Sequence, residues 1–148
     1  MHINPMALSW QRFVVAVDEQ GAIIGCGQVK PHGDGSRELA SIAVVPERRG
    51  QGVARAIIEH LIEKEAGRRL AGPPGQDELN PKAGELYLTC RASLDRFYQR
   101  FGFRTLTMSE MPPYFRRLIR LARIFTGLGF TRDDLLVMKR TAASSRPN

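Results

Sequence analysis

The segment Ser41 to Ala54, reading SIAVVPERRGQGVA, limits the fold more than any other part of the chain. A β-branched apolar run stops at Pro46 and crosses a short basic turn with two glycines. At Val53 it gives way to an apolar helical pattern. A strand that ends in a glycine turn and opens a helix leaves several backbone N–H groups unpaired and aimed the same way. Together with the positive end of the helix dipole, these donors make a site for phosphate. Gly50 and Gly52 let a bulky ligand approach the main chain closely. Arg48 and Arg49 add positive charge beside the turn. The reading is a segment that holds the pyrophosphate of a nucleotide-containing cofactor. Strand, glycine turn and helix is also a common structural unit, so two glycines alone do not decide the matter. Two other phosphate motifs are absent. No Gly-Lys-Ser or Gly-Lys-Thr occurs, and Gly50-Gln51-Gly52-Val53-Ala54-Arg55 ends on Arg55 where a dinucleotide fingerprint has glycine.

The flanking sequence reads as an orderly series of elements. Arg12 to Val17 and Ala22 to Lys30 are strands joined by the turn Asp18 to Gly21, with Gly25 and Gly27 weakening the second. His32 to Ser36 is another turn, and Arg37 to Val45 a third strand. Val53 to Ala66 has Val53, Ile57, Ile58, Leu61 and Ile62 at helical spacing, with Gly67 as its stop. Arg68 to Gly84 is a long loop rich in Gly and Pro. Glu85 to Cys90 is a strand, and Ser93 caps a short helix running through Phe101, with Gly102 after its end. Phe103 to Thr107 and Asp133 to Arg140 are the last strands. The order predicts an α+β fold, an α/β sandwich with a mixed, mostly antiparallel central sheet and helices on both faces.

The 148 residues suit one domain with one core at about 12–140 and a fraying tail at 141–148. With 43% hydrophobic and 25% charged residues the composition is that of a soluble globule. The net charge of +7 favours anionic partners, but the arginines are scattered and no zinc-finger or RNP-like motif occurs, so nucleic acid is not expected. Cys26 and Cys90, far apart in strand-like segments, read as buried thiols of a reduced, cytoplasmic protein. No signal peptide and no run of roughly 20 apolar residues is seen, so no membrane span is expected. No His/Cys cluster has metal spacing; His2, His32 and His60 attract no catalytic role, and His32 in its turn and His60 on the long helix read as surface residues.

Arg49, Gly52 and Ala54 occupy the fixed places of a turn of the form [RQ]-x-x-G-x-[GA], after a strand ending Ala43-Val44-Val45-Pro46. Further on comes Phe97-Tyr98-x-x-x-Gly102-Phe103. In this order the motifs resemble the GNAT superfamily of N-acetyltransferases, which use acetyl-CoA, over about Arg12 to Arg140. Before Arg12 the family usually has another strand and one or two helices, so either the N-terminal region is shortened or the chain begins late relative to its relatives. The resemblance implies that the amides of Arg49, Gly50, Gln51, Gly52, Val53 and Ala54 hold the pyrophosphate of CoA, with Arg55 an added contact or a solvated arginine. It also implies that the pantetheine arm runs along Ile42, Ala43 and Val44, whose main chain mimics another strand. The third strand would splay from Glu85 to Cys90 to admit the thioester.

Acetyl transfer to an amine needs a neutral amine, a donor for the carbonyl oxygen and a proton for the leaving thiolate. By resemblance Tyr98 is the general acid; read from spacing alone it is an aromatic packed with Leu94 and Phe101. Glu38, at the start of the cofactor strand, is the base in some relatives; it reads equally as a solvated carboxylate paired with Arg37 or another arginine. Glu85 is a weaker candidate. The amide of Ile42 is the oxyanion donor by resemblance. Two departures stand out. Arg91 replaces the asparagine common at the exit of the fourth strand, and the loop at 68–84 is long.

One segment falls outside the motif. In Met111 to Phe130, Phe115, Leu118, Ile119, Ala122 and Phe125 form an apolar stripe opposite Arg116, Arg117, Arg120 and Arg123. This helix at 112–126 either packs on the sheet with a solvated basic face, caps an acceptor cleft and favours acidic acceptors, or meets an anionic membrane surface. The expectation is an N-acetyltransferase that moves acetyl from acetyl-CoA to a primary amine of a small molecule or protein, with a homodimer admitted by the resemblance. Its rivals are a CoA-binding sensor without turnover and a basic interaction protein acting through helix 112–126.

Overall fold

The computed structural model of the protein describes residues 10–70, 85–125 and 135–141. The N-terminal region, the segment 71–84 of the long loop and the tail from 142 therefore lie outside the described residues. Six strands form one sheet in the order β1-β2-β3-β4-β6-β5. They are β1 (Phe13–Val17), β2 (Ile23–Pro31), β3 (Arg37–Val44), β4 (Glu85–Arg91), β5 (Arg104–Thr105) and β6 (Leu135–Thr141). The helices are α1 (Val53–Leu70), α2 (Asp95–Gln99) and α3 (Pro113–Phe125). Pairing is antiparallel except between β3 and β4, which run parallel because α1 carries the chain across between them. The mixed, mostly antiparallel sheet expected from the element order is present.

Strand alternation divides the core between two faces. On β4, Leu86, Leu88 and Cys90 join Ile57, Ile58 and Leu61 of α1 and Tyr98 of α2 in one cluster. Tyr87 points the other way and meets Phe115 and Ile119 of α3 together with Val137 of β6. Helices thus cover both faces, α1 and α2 on one and α3 on the other. Phe115 is completely buried, and removing such a side chain from water stabilises the fold by roughly 1.5–3 kcal/mol.

Gly25 and Gly27 are the reason α1 lies so close to β2. A Cβ on Gly27 would sit 2.6 Å from Ile42 Cδ1 and 2.8 Å from Ile57 Cγ2. A Cβ on Gly25 would sit 2.9 Å from Ile57 Cδ1. The glycines that weaken the strand locally are what the helix packs onto. Three other expectations need correction. Gly67 does not stop α1, which continues to Leu70; one helical glycine costs only about 1 kcal/mol against alanine, and packing of Ile57, Ile58 and Leu61 outweighs that. Ser93 does not cap α2: it lies in a 3-10 turn, Ala92–Leu94, and no side chain caps the helix. The strand after α2 is only Arg104–Thr105. Gly102 does take the left-handed conformation, φ +82°, after the helix.

Candidate active site

The turn between β3 and α1 is open in the sense the motif requires. Gly50 and Gly52 have φ of +74° and +85°, and a Cβ on either would meet nothing within 4 Å. These angles are available to glycine without strain. The amides of Arg48 and Arg49 are used by the carbonyls of Val45 and Pro46, at 3.0 and 3.2 Å. The next intramolecular bond is from the Ala56 amide to the Gly52 carbonyl at 3.0 Å. Between them, the N–H groups from Gly50 to Arg55 have no partner among the described residues. Unpaired donors at a helix start are oriented to receive an anion.

The arginines divide their duties. Arg48 is tied to Asp18 at 3.2 Å and fastens the β1–β2 turn. Arg49 is exposed and reaches back to the Val44 carbonyl at 3.4 Å. Arg55 pairs with Glu59 one helical turn on, at 2.8 Å; that hydrogen bond and charge hold its guanidinium protonated still more firmly. Arg91 is exposed at the end of β4.

β3 leaves β4 early. Among the described residues the only ladder pair between them is Glu38 with Tyr87, and no described strand pairs with Ile42, Ala43 and Val44 on that side. A bulge helps to turn β3 away. Its register against β2 shifts between Cys26 and Gln28, and Ser41 opposite has φ +58°. A non-glycine residue in that region costs on the order of 1–3 kcal/mol and persists only where neighbours fix it. Here buried Gln28 donates from Nε2 to Ser41 Oγ at 3.0 Å.

Two candidate groups approach β4 from opposite faces. Tyr98, on the α1 face, packs its ring against Phe97 and Phe103 and lies near Cys90. The residue is 9% exposed, its hydroxyl has no hydrogen-bond partner among the described residues, and that oxygen is not sealed from solvent. Burial, with a smaller effect of Cys90, raises its pKa, so it stays a proton donor. The Cys90 thiol is itself pushed up to about 11 by burial and so is not a nucleophile at neutral pH. Glu38 lies on the α3 face. Its Oε2 is 2.8 Å from His32 Nε2, and Thr89 Oγ1 is 3.4 Å from its Oε1. The side chains of His32 and Glu38 are 5% and 12% exposed.

Glu38 is therefore not paired with Arg37, which reaches Glu65 of α1 instead. His32 is not a surface residue. Its ring stacks on Tyr114 at 3.5 Å and meets the edge of Phe115, because α3 packs over the β2–β3 turn. The pair Pro31–Arg37 closes the hairpin and sets His32 just beyond it, but no local sequence pattern signals its burial. His60 is exposed as expected. Glu85 is bound to Lys139 and to the Tyr87 hydroxyl. On α3, Phe115 and Ile119 face the sheet, Arg117 and Arg120 are exposed, and Arg116 Nε donates to the Met111 carbonyl at 2.8 Å. That matches a helix packed on the sheet with a solvated basic face. A groove of about 610 Å³ near Arg12, Arg37 and Lys64 lies at the far end of α1, and neither Tyr98, Glu38 nor the glycine turn lines it. Among the described residues no His/Cys/Asp/Glu group could hold a metal, and no helix is long and apolar enough to cross a membrane.

The model of the acetyltransferase (GNAT) domain matches residues 9–105, from before β1 through β5. The chain belongs to the GNAT acetyltransferase family. No curated protein sequence matches it. Solved GNAT relatives share the fold at low identity. N-acetylglutamate synthase from Neisseria gonorrhoeae, complexed with coenzyme A and N-acetyl-glutamate, gives a TM-score of 0.62 at 19% identity over 88% of this chain and 25% of its own. The ribosomal-protein-S18-alanine N-acetyltransferase from Escherichia coli gives 0.56 at 20% identity, over 95% of this chain and 76% of its own. A GNAT-family acetyltransferase from Staphylococcus aureus Mu50 gives 0.53 at 15% identity, over 87% and 66%. The GNAT chain described here thus spans only a quarter of the length of the synthase.

Proposed function

We propose that this GNAT chain is an acetyl-CoA-dependent N-acetyltransferase acting on a primary amine. The observation that carries the proposal is the run of unpaired amides from Gly50 to Arg55 at the start of α1, beside a gap where β3 has left β4. That geometry fits a diphosphate followed by an extended arm. The donor, when bound, supplies an activated acyl thioester.

The chain's own residues do the rest. The amides of Gly50 to Ala54, with Arg49 alongside, hold the diphosphate, and Arg55 stands at the rim. Ile42, Ala43 and Val44 offer their main chain to the pantetheine as a strand edge. The Ile42 amide donates to the carbonyl oxygen as it gains charge. A lysine-like amine near pKa 10.4 arrives mostly protonated at neutral pH, and Glu38 takes its proton, directly or through one water. The Tyr98 hydroxyl gives a proton to the leaving sulfur, and the second proton shed by the acylated nitrogen restores it through water. Tyr98 and Glu38 reach β4 from opposite faces, which suits a donor and an acceptor that enter from opposite sides of the sheet. Transfer is direct, and buried Cys90 stays a thiol throughout. The acceptor is a small molecule or a protein amine. A cytoplasmic location and a homodimer belong to this same proposal.

The test combines a thermal shift with acetyl-CoA and thiol release against a panel of amines. At about 100 times its Kd, a ligand adds about 2.7 kcal/mol to stability, so a clear rise in Tm with release of free thiol is expected. Stabilisation with no thiol released from any amine would favour a sensor. No stabilisation at millimolar acetyl-CoA would contradict the proposal.

A further inference from the structure

His32 is held more firmly than a turn residue needs to be. Its amide bonds the Ser36 carbonyl at 2.9 Å, and its carbonyl accepts from the Gly35 amide at 3.0 Å. Asp34 Oδ1 closes the same turn on the Ser36 amide and hydroxyl, at 3.0 and 2.6 Å. Asp34 Oδ2 accepts from the Tyr114 amide in the first turn of α3, at 3.1 Å. That bond fixes the helix whose Tyr114 ring covers the imidazole at 3.5 Å, with the two planes 20° apart. Phe115 meets its edge at 5.8 Å. The ring therefore has one orientation, and in it Nε2 faces Glu38 Oε2 at 2.8 Å. An ionised carboxylate only accepts, so Nε2 carries the hydrogen. Glu38 Oε1 is left with one long contact, to Thr89.

We propose that His32 is a positioning residue for Glu38: its Nε2–H holds Oε2, leaves Oε1 as the proton-accepting oxygen at the gap, and makes that base weaker whenever the imidazole is charged. The inference rests on the reading of Glu38 as the base. A neutral imidazole orients the carboxylate through its N–H, and that hydrogen bond already favours the ionised form; an imidazolium at the same distance adds a full positive charge and favours it further. The groups that set this balance are Asp34 in the same turn, Tyr114 from α3, Lys30 opposite Glu38 on β2 and Tyr87 from β4. Tyr114 stays protonated, its pKa raised first by burial and then by Glu38 and Asp34. The proton taken by Oε1 comes from the ammonium of the acceptor and leaves to water as the product departs.

The experiment compares wild type with His32→Gln and His32→Leu, using the amine that wild type acetylates, between about pH 5 and 8 where imidazoles titrate. Glutamine keeps an N–H donor and cannot charge; leucine loses both properties. His32→Leu should lower kcat by about tenfold to a hundredfold and leave KM for acetyl-CoA unchanged. His32→Gln should recover most of that kcat at the alkaline end and lose the acid limb of wild type. Full kcat in His32→Leu, or an unchanged acid limb in His32→Gln, would overturn the proposal. A second readout needs no acceptor. The His32 imidazole is titrated by NMR in wild type and Glu38→Gln, with CoA binding measured in both. Different curves support the pair and identical curves refute it. If CoA does not bind wild type, or no amine turns over, the acetyltransferase reading fails, and the imidazole curves still decide whether the pair exists.

Discussion

Tyr98 combines a buried ring with an unpaired hydroxyl, so removing the oxygen alone separates packing from chemistry. In Tyr98→Phe the ring still fills its place between Phe97 and Phe103, and Tm should hold. Proton donation by a positioned side chain contributes about 100-fold to 10,000-fold; kcat should fall by about 100-fold or more, with KM for acetyl-CoA little changed. Steady-state thiol release checks this, and full turnover would remove Tyr98 from the mechanism. Glu110 makes a pH prediction. The Thr107 amide, then Arg104 and the Thr107 hydroxyl, hold its carboxyl down at about 2, against an ordinary 4.5. A depressed carboxylate contributes stability that is complete above the ordinary value and is lost as pH falls through the lowered one. Wild type should therefore lose Tm between about pH 4.5 and 2 more steeply than Glu110→Gln, as thermal melts across that range will show. The glycine turn and Tyr98 could be picked out of the sequence because each sits in a local motif, whereas Glu38 came only from the resemblance. His32 could not, since its burial comes from Tyr114 and Phe115, which lie far along the chain and arrive only with α3.

At the scale of elements, the close contact of α1 with β2 aligns the start of the helix with the open edge of β3. Gly27 controls that contact. In Gly27→Ala the new methyl would press on Ile42 and Ile57, and overpacking of this kind costs typically about 1–3 kcal/mol. Denaturant unfolding should show a loss in that range, with weaker CoA binding because Ile42 is displaced from the strand edge. Unchanged stability would mean that the helix stands off farther than described. Sequence periodicity located β1 to β4 and the start of α1, where apolar spacing and turn residues agree. It failed at Gly67 and Ser93 because glycine stops and serine caps are local preferences, and tertiary contacts override them. Gly25 and Gly27 were read against their strand for the same reason: the space they leave matters only once α1 has docked.

Across the whole molecule, the sheet acts as a partition. α1, α2 and Tyr98 lie on one face, and α3, His32 and Glu38 on the other. Between them β3 and β4 share a single pair before they part. The mixed sheet was readable from element order alone, but the position of the gap depends on the bulge at Ser41, which no residue pattern announces. The basic helix likewise took its place only in three dimensions, with Arg117 and Arg120 turned to solvent. The most direct test of the account is an amide-resolved NMR titration with coenzyme A. The largest shifts should fall on the N–H signals of Gly50 to Arg55, with a second set at Ile42 to Val44. Saturable binding that leaves those amides unmoved, or moves a different part of the chain, would contradict it.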